Sequence, residues 1–482
     1  MTPTLKFDSR TFWLLLAAGA GVLALVGCTT QQESGFESDE ESTTAVAVRP
    51  DTLNITAIGV PNFSDEIARQ WAAERDGQVN ITHVTPGEFF DSKSRKKADL
   101  FVHPSTILAD LVSEDLLRVY PREGLVSASM NVDSYLAHFR KVGVRHNDKT
   151  WSVSLGGQQL RLFYRSDVLE VAGIDPPKTW EELDRAIEKV QQAEEAKDLL
   201  PVVVPSSEGH SVQLYLARLA SELRDRGKLT FFFDRRTMQP TLDAPVFAGA
   251  LEDLRNYNQL GQPELCVSET FELFAAGKAV FAIAWPTLGD DFDTENLEKA
   301  SANWGVTRLP GSERTYDLKE SSWRDRQTGA QQKVDLLGMA STSISISKRS
   351  SHANDAVEFV TWISEKQNSR KLLRNVAAPF RATHLGRVGE WYALEQANGE
   401  FLDALADSIE ETHQSDMVMT FPMLPGTRQY LKLLDSGIRK FLSTENAGSE
   451  KALQDIGAQW ESLTESLGRE NQIRELKRGN GI

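Results

Sequence analysis

The chain has 482 residues and a formal net charge of −16 at pH 7, from 69 acidic against 53 basic side chains. That balance repels phosphate backbones and argues against a nucleic-acid partner. Only two cysteines are present, Cys28 in an apolar leader and Cys266, so no intrachain disulfide is expected once the leader has been processed.

Lys6 and Arg10 precede the apolar run Thr11–Gly27, "TFWLLLAAGAGVLALVG". The run is short for a membrane span and ends in small residues, so residues 1–27 read as an export signal. Its end, Leu25-Val26-Gly27-Cys28, resembles the lipobox of bacterial lipoproteins, which implies a lipid on Cys28 and removal of what precedes it. Residues 31–48 carry Ser, Thr, Glu and Asp and almost no large apolar side chains. They bury too little to offset their ordering entropy, so 28–50 is expected to be a flexible tether reaching about 25 Å. A lipid and a tether anchor a chain to a membrane without spanning it.

About 430 residues remain, more than a single core holds, so two lobes are expected. From residue 53, "LNITAIGV" reads as a buried strand, and "PNFSDEIARQWAAERDG" as a helix capped by Asn62 or Ser64. "QVNITHV" and "ADLFVH" are further strands, leading into the helical "STILADLVSEDLL". Alternation of this kind implies a parallel sheet with helices on its faces. Leu160, Leu162 and Tyr164 mark the next strand, and Asp167 with Glu170 has the spacing of a capping box for a short helix that Gly173 stops. Pro176 and Pro177 bar continuation, and Thr179 with Glu182 caps a helix whose apolar face is Trp180, Leu183, Ile187 and Val190.

Beyond residue 244, "APVFAGALEDLRNYNQL" is a helix. "SETFELFAAGKAVFAIAWP" is a helix stopped at Gly277, followed by the strand Ala279–Ala284. "NWGVTRLPG" is a short strand, 311–333 a polar surface loop, and "LLGMASTSISIS" a strand. "HANDAVEFVTWISEKQNSRKLL" reads as one long amphipathic helix, and the last third is helical. Cys266, lacking a partner, is expected in the core.

Catalytic patterns are absent. The eight histidines show no metal-ligand spacing, and there is no G-x-S-x-G elbow or phosphate-binding loop. The carboxylates have no acid/base spacing and read as a solvated acidic surface. No enzyme activity, cofactor or metal is expected.

Four passages, in order, carry a family resemblance: "RLFYRSDVLEVAGIDPPKTWEEL"; "FAAGKAVFAIAWP"; "WGVTRLPG" with "ISISKRSSHANDAVEFVTWI"; and "FPMLPGTRQYLKLLDSGIRKFL" with "EKALQDIGAQW". Together they resemble the extracellular solute-binding proteins of bacterial ABC importers, in the sugar-binding branch that includes maltose-binding protein. The resemblance implies an α/β, two-lobed periplasmic-binding-protein (Venus flytrap) fold with hinge strands between the lobes. Lobe I would comprise 51–155 and 305–375, and lobe II 158–303 and 378–476. Closure on a solute would follow hinge rotation at the crossings near Val153–Gln158, near Trp304–Leu309 and after Leu373.

The implied function is a monomeric, envelope-located lipoprotein that captures a carbohydrate-like solute and passes it to the membrane subunits of an ABC importer. A second reading keeps the fold but has the lipoprotein act through a membrane sensor or another envelope partner. Expected ligand contacts are Gln158 and Gln159 beside the first crossing, and Trp285 at the end of its strand. Asn62 and Phe63 stand where the first strand meets its helix, a place where open α/β sheets receive ligands. His103 and Ser105 occupy the matching loop of the third strand, Glu208 and His210 a helix start in lobe II, and Phe421 the C-terminal cleft segment. Arg381 follows "APF" in a turn similar to the family's.

Overall fold

The computed structural model describes residues 52–479 apart from 76, 92–97, 126, 128–129, 224–230, 327–332, 375 and 377. The export signal, Cys28 and the tether lie outside the described residues.

Two sheets organise the chain. The first has the strand order Gln78–Val84, Thr52–Ile58, Leu100–Pro104, Ala340–Ile346, Ser152–Gln158. Its first three strands are parallel, as the strand–helix alternation requires, and Ala340–Ile346 runs antiparallel to both of its neighbours. The second sheet has the order Trp304–Arg308, Arg161–Arg165, Ala279–Ala284, Leu200–Val203. Every residue of Ala279–Ala284 is buried, which is why it reads as an unbroken apolar run, the mark of a strand covered on both faces. The Thr179–Glu182 capping box forms as expected, and Trp180, Leu183, Ile187 and Val190 are buried. The helix Ser211–Leu223 is buried along its whole length, and its Arg218 donates to Asp253 through Nε at 3.0 Å and Nη2 at 2.7 Å.

Several local expectations are corrected. Asp167 does not cap its helix; it sits inside Ser166–Val171, with its carboxylate bidentate on Arg165 at 2.9 and 2.6 Å. A paired guanidinium outcompetes a neutral backbone N–H for that carboxylate. The long helix divides into Ala353–Ser364 and Lys366–Leu373. Asn368 donates to the Trp362 carbonyl at 2.9 Å, and Arg381 donates to the Ser364 carbonyl at 2.7 Å, taking acceptors that a continuous helix would use. The polar stretch 311–333 contains a hairpin, Arg314–Asp317 with Ser322–Asp325, built on the cross-strand pair of Tyr316 and Trp323. It docks on the end of helix Ser211–Leu223 through Thr315 Oγ1 to the Glu222 carbonyl at 2.9 Å. Cys266 is half-buried, not core: its sulfur accepts the Glu269 N–H and caps helix Val267–Ala275.

The chain leaves the first sheet at Gln158 and enters the second at Arg161, then returns between Arg308 and Ala340. Trp304–Arg308 is an edge strand of the second sheet, paired with Arg161–Arg165. Gly156 and Gly157 precede the first crossing because a Cβ there would strike the Ala378 carbonyl or the Ser341 side chain. Both crossings meet at Asp335. Arg308 contacts its carboxylate at 2.8 Å through Nε and at 2.6 Å through a terminal nitrogen. Arg161, 1 % exposed, stands 3.8 Å from it. Arg161 also donates to Gln159 Oε1 at 2.6 Å and to Thr412 Oγ1 at 2.9 Å. Away from the crossings, further contacts join the segments on either side, among them His138 Nε2 with the Ser415 carbonyl at 2.8 Å. Gly426 N, beside helix Thr427–Ser443, donates to Asp110 at 2.6 Å. Glu475 takes His146 at 3.2 Å and Asn147 at 3.3 Å.

Asp335→Ala leaves a buried guanidinium without its counter-charge and is expected to cost about 3–5 kcal/mol in urea unfolding. Asp110 supplies a pH test. Burial lifts its carboxyl to about 6, against the opposing pull of the Gly426 N–H and Arg428. A raised pKa means that the native state takes up a proton that the unfolded chain releases. The contribution of this group is therefore full below its ordinary value and is lost as pH rises through about 6. Asp110→Asn, which cannot ionise, should raise the thermal midpoint at about pH 7.5 and lose most of that gain at about pH 4.5.

Candidate functional site

Between the lobes lies a cleft of about 200 Å³. Thr106, Lys141, Val142, Gly143 and Arg145 form the wall on the side of the first sheet, and Thr420, Phe421, Met423 and Thr427 the opposite wall. Leu337, Gly338 and Met339, on the path back to the first sheet, form the floor. Past Met339 is a second space of only about 10 Å³, lined by Gln158, Gln159, Gln213, Leu309 and Asp335 among others. That is room for a single water. Larger cavities of about 410 and 420 Å³ lie within single lobes, one beside Arg439 and one beside Phe139, so neither is bounded by both.

The crossing strands place polar groups at the base of the cleft. Arg161 pairs with Ala284, so in antiparallel register Trp285 falls at the level of Leu160. His210, just before helix Ser211–Leu223, meets the Trp285 ring edge-on at 5.9 Å. Gln159 Nε2 donates to His413 Nε2 at 3.1 Å. Burial, with His138 and Arg161 nearby, pushes His413 down to about 3. Its ring is therefore neutral, and because Nε2 accepts, Nδ1 bears the hydrogen. That Nδ1, together with Gln158 Oε1, Trp285 Nε1 and Thr287 Oγ1, is buried without a hydrogen-bond partner among the described residues. Buried polar groups are ordinarily satisfied; of these, Gln158 lines the small space past Met339.

The structure brings together part of the expected set. Gln158 and Gln159 line the small space, Trp285 and His210 touch one another, and Phe421 lines the main cleft. Phe421 offers little surface, since it is buried against Phe232 and Trp460. Ser105 is buried beside Ser343 at 3.2 Å, and Ser343 in turn donates to the Gly143 carbonyl at 3.1 Å, fixing the cleft loop from beneath. His103 is fully buried, bonded to the Pro104 carbonyl and to Ser345 Oγ, both at 2.9 Å, and burial lowers it to about 4. Phe63 is fully buried in the first lobe's core, while Asn62 beside it is exposed. Glu208 is an exposed surface group ion-paired with Arg439 at 3.4 Å. Arg381 is buried, bonded to the Met130, Asn131 and Ser364 carbonyls.

Lys141 and Arg145 were missed. Their signal was local: "RKVGVRHNDK" gathers Arg140, Lys141, Arg145 and Lys149 around a glycine in an otherwise acidic chain. Among the described residues no group of His, Cys, Asp and Glu is placed to hold a metal ion, and no helix is long and apolar enough to cross a membrane.

A family model for bacterial extracellular solute-binding proteins matches residues 62–369. Among solved structures, the sugar-binding protein MalE of Xanthomonas citri superposes with a TM-score of 0.63 at 17% identity, over 86% of this chain and 98% of that one. An ABC transporter solute-binding protein of Agrobacterium radiobacter K84, in complex with ribitol, gives 0.63 at 15% identity with the same coverage. Maltose-bound MalE3 of T. maritima gives 0.61 at 16% identity, over 86% and 99% of the two chains. These are binding proteins of ABC transporters, not enzymes. With a two-lobed fold, hinge crossings, a cleft between the lobes and a family match over more than half its length, the chain belongs to the bacterial extracellular solute-binding proteins.

Proposed function

We propose that the protein captures a polar, carbohydrate-like solute in the cleft between its lobes and delivers it to the membrane subunits of an ABC importer. The observation that carries this reading is the cleft between the lobes, with neutral polar groups beside it: Thr106 and Thr420 in its lining and, past Met339, Gln158, whose Oε1 is buried without a partner among the described residues. Sugar and polyol hydroxyls both give and accept hydrogen bonds, so a mixed set of neutral groups suits them. The ligands of similar structures, ribitol and maltose, are of this class. Met339 stands at the boundary of the two spaces. A thioether side chain with three rotatable bonds can swing aside and join them.

The lobe division belongs to the same proposal: lobe I at 51–155 and 305–375, lobe II at 158–303 and 378–476. The pairing of Trp304–Arg308 with Arg161–Arg165 favours moving that strand to lobe II. Solute contacts from both lobes would favour the closed state. Lipidation of Cys28 and a tether at 28–50 would hold the monomer at the membrane.

Calorimetric titration of the protein lacking residues 1–27 against a panel of neutral and acidic sugars and polyols should show binding by at least one. Gln158→Ala and Trp285→Ala should each weaken it about ten-fold or more. Heat from none of the panel would overturn capture of a sugar-like solute. Cys28→Ser in the full chain should abolish incorporation of labelled palmitate, and retained label would overturn the anchor.

A further inference from the structure

We propose that the solute is an anionic sugar derivative, carrying a carboxylate or a phosphate that Lys141 and Arg145 recognise. The proposal rests on solute capture in the inter-lobe cleft and names the class of solute.

The cleft inverts the charge of the chain. Acidic side chains outnumber basic ones 69 to 53 overall, yet the lining of the cleft includes two cations and no carboxylate. Lys141 and Arg145 are exposed, and neither has an ion-pair partner among the described residues. The one side-chain hydrogen bond of Arg145 goes to the Asp148 carbonyl at 3.3 Å. Of the carboxylates on neighbouring segments, Asp133 pairs with Arg140, Glu475 with His146 and Arg478, and Asp110 takes Gly426 N, while Asp148 in the same hairpin is exposed and meets Arg145 through its carbonyl. Two cations left unpaired in a chain rich in acids, at the mouth of a cleft, attract and concentrate an anion.

The remaining lining fits the body of such a molecule. Thr106 and Thr420 present hydroxyl groups, and Met339 and Leu337 give an apolar floor for the C–H face of a ring. A guanidinium fork meets a carboxylate or phosphate through two parallel hydrogen bonds, and an ammonium adds a point charge. At about 200 Å³ the cleft holds a solute of monosaccharide size.

The test is calorimetric titration of the protein lacking residues 1–27 with matched pairs: glucose and glucuronate, galactose and galacturonate, and glucose 6-phosphate as the phosphate arm. At least one anion should bind about ten-fold or more tightly than its neutral counterpart, with the gap shrinking as salt is raised. The double variant Lys141→Ala, Arg145→Ala should lose about ten-fold or more for that anion, and lose more for it than for its neutral counterpart. Both side chains are exposed, and an unchanged circular dichroism spectrum would confirm folding. The better of the uronate and phosphate arms identifies the charged group. A neutral sugar that binds as tightly as its acid overturns the anionic assignment and leaves solute capture standing. An anion whose affinity survives the double variant overturns the role of the two cations. Binding by none of the five overturns the anionic assignment, and the wider panel of sugars and polyols then decides the capture reading beneath it.

Discussion

Much of the architecture turns on one carboxylate. Asp335 lies where the path from the second sheet back to the first passes the path out, and it is shared by Arg308 and Arg161. Taking three charged groups out of water is costly, and the arrangement is tolerable because nearly every valence is met: Arg161 also reaches Gln159 and Thr412. The specificity of the arrangement matters more than its net stability. Sheet strands could slide or pair otherwise with little loss of apolar burial, but a displaced Asp335 would leave buried guanidinium charge uncompensated. The two crossings are thereby fixed against one another, and the lobes acquire a common pivot.

A fixed pivot determines which contacts can yield. Hinge motion needs a few residues that absorb rotation, and contacts far from the axis that break at small cost. At the crossings the network is buried. At the far side the lobes meet through Gly426 N to Asp110 and through Glu475 to His146 and Asn147. These are a few hydrogen bonds and one pair, fewer than the network at the crossings.

Elements whose structure is set by neighbours in sequence were legible. The Thr179–Glu182 box, the stop at Gly277 and the unbroken apolar strand Ala279–Ala284 all depend on local chemistry, and all are present. What failed depends on partners far along the chain. Helix 352–373 breaks because Arg381 captures a carbonyl, and the hairpin within 311–333 forms because Tyr316 and Trp323 find each other across the strands. The site followed the same rule. Position at the end of a strand found Gln158, Gln159 and Trp285. It also selected Phe63 and His103, whose side chains turn into the core. Strand ends tell where a side chain starts, not which way it faces. Lys141 closes the short turn Ala137–Arg140 and Arg145 opens a two-residue strand, elements too short for any periodicity, so that only the local charge departed from its surroundings.

Charge finally connects the cleft to the rest of the molecule. A protein with a net charge of −16 repels anions at long range, but in physiological salt that field fades within about 8 Å. Inside a cleft the walls exclude counter-ions and lower the effective dielectric, so two unpaired cations dominate what a small solute feels once it arrives. The acidic exterior and the basic cleft are therefore compatible, and the exterior has a consequence of its own. It discourages anionic macromolecules, whose many charges sample the surface, far more than a solute with one charge. A cleft of about 200 Å³ reached past an acidic surface thus selects by size as well as by sign.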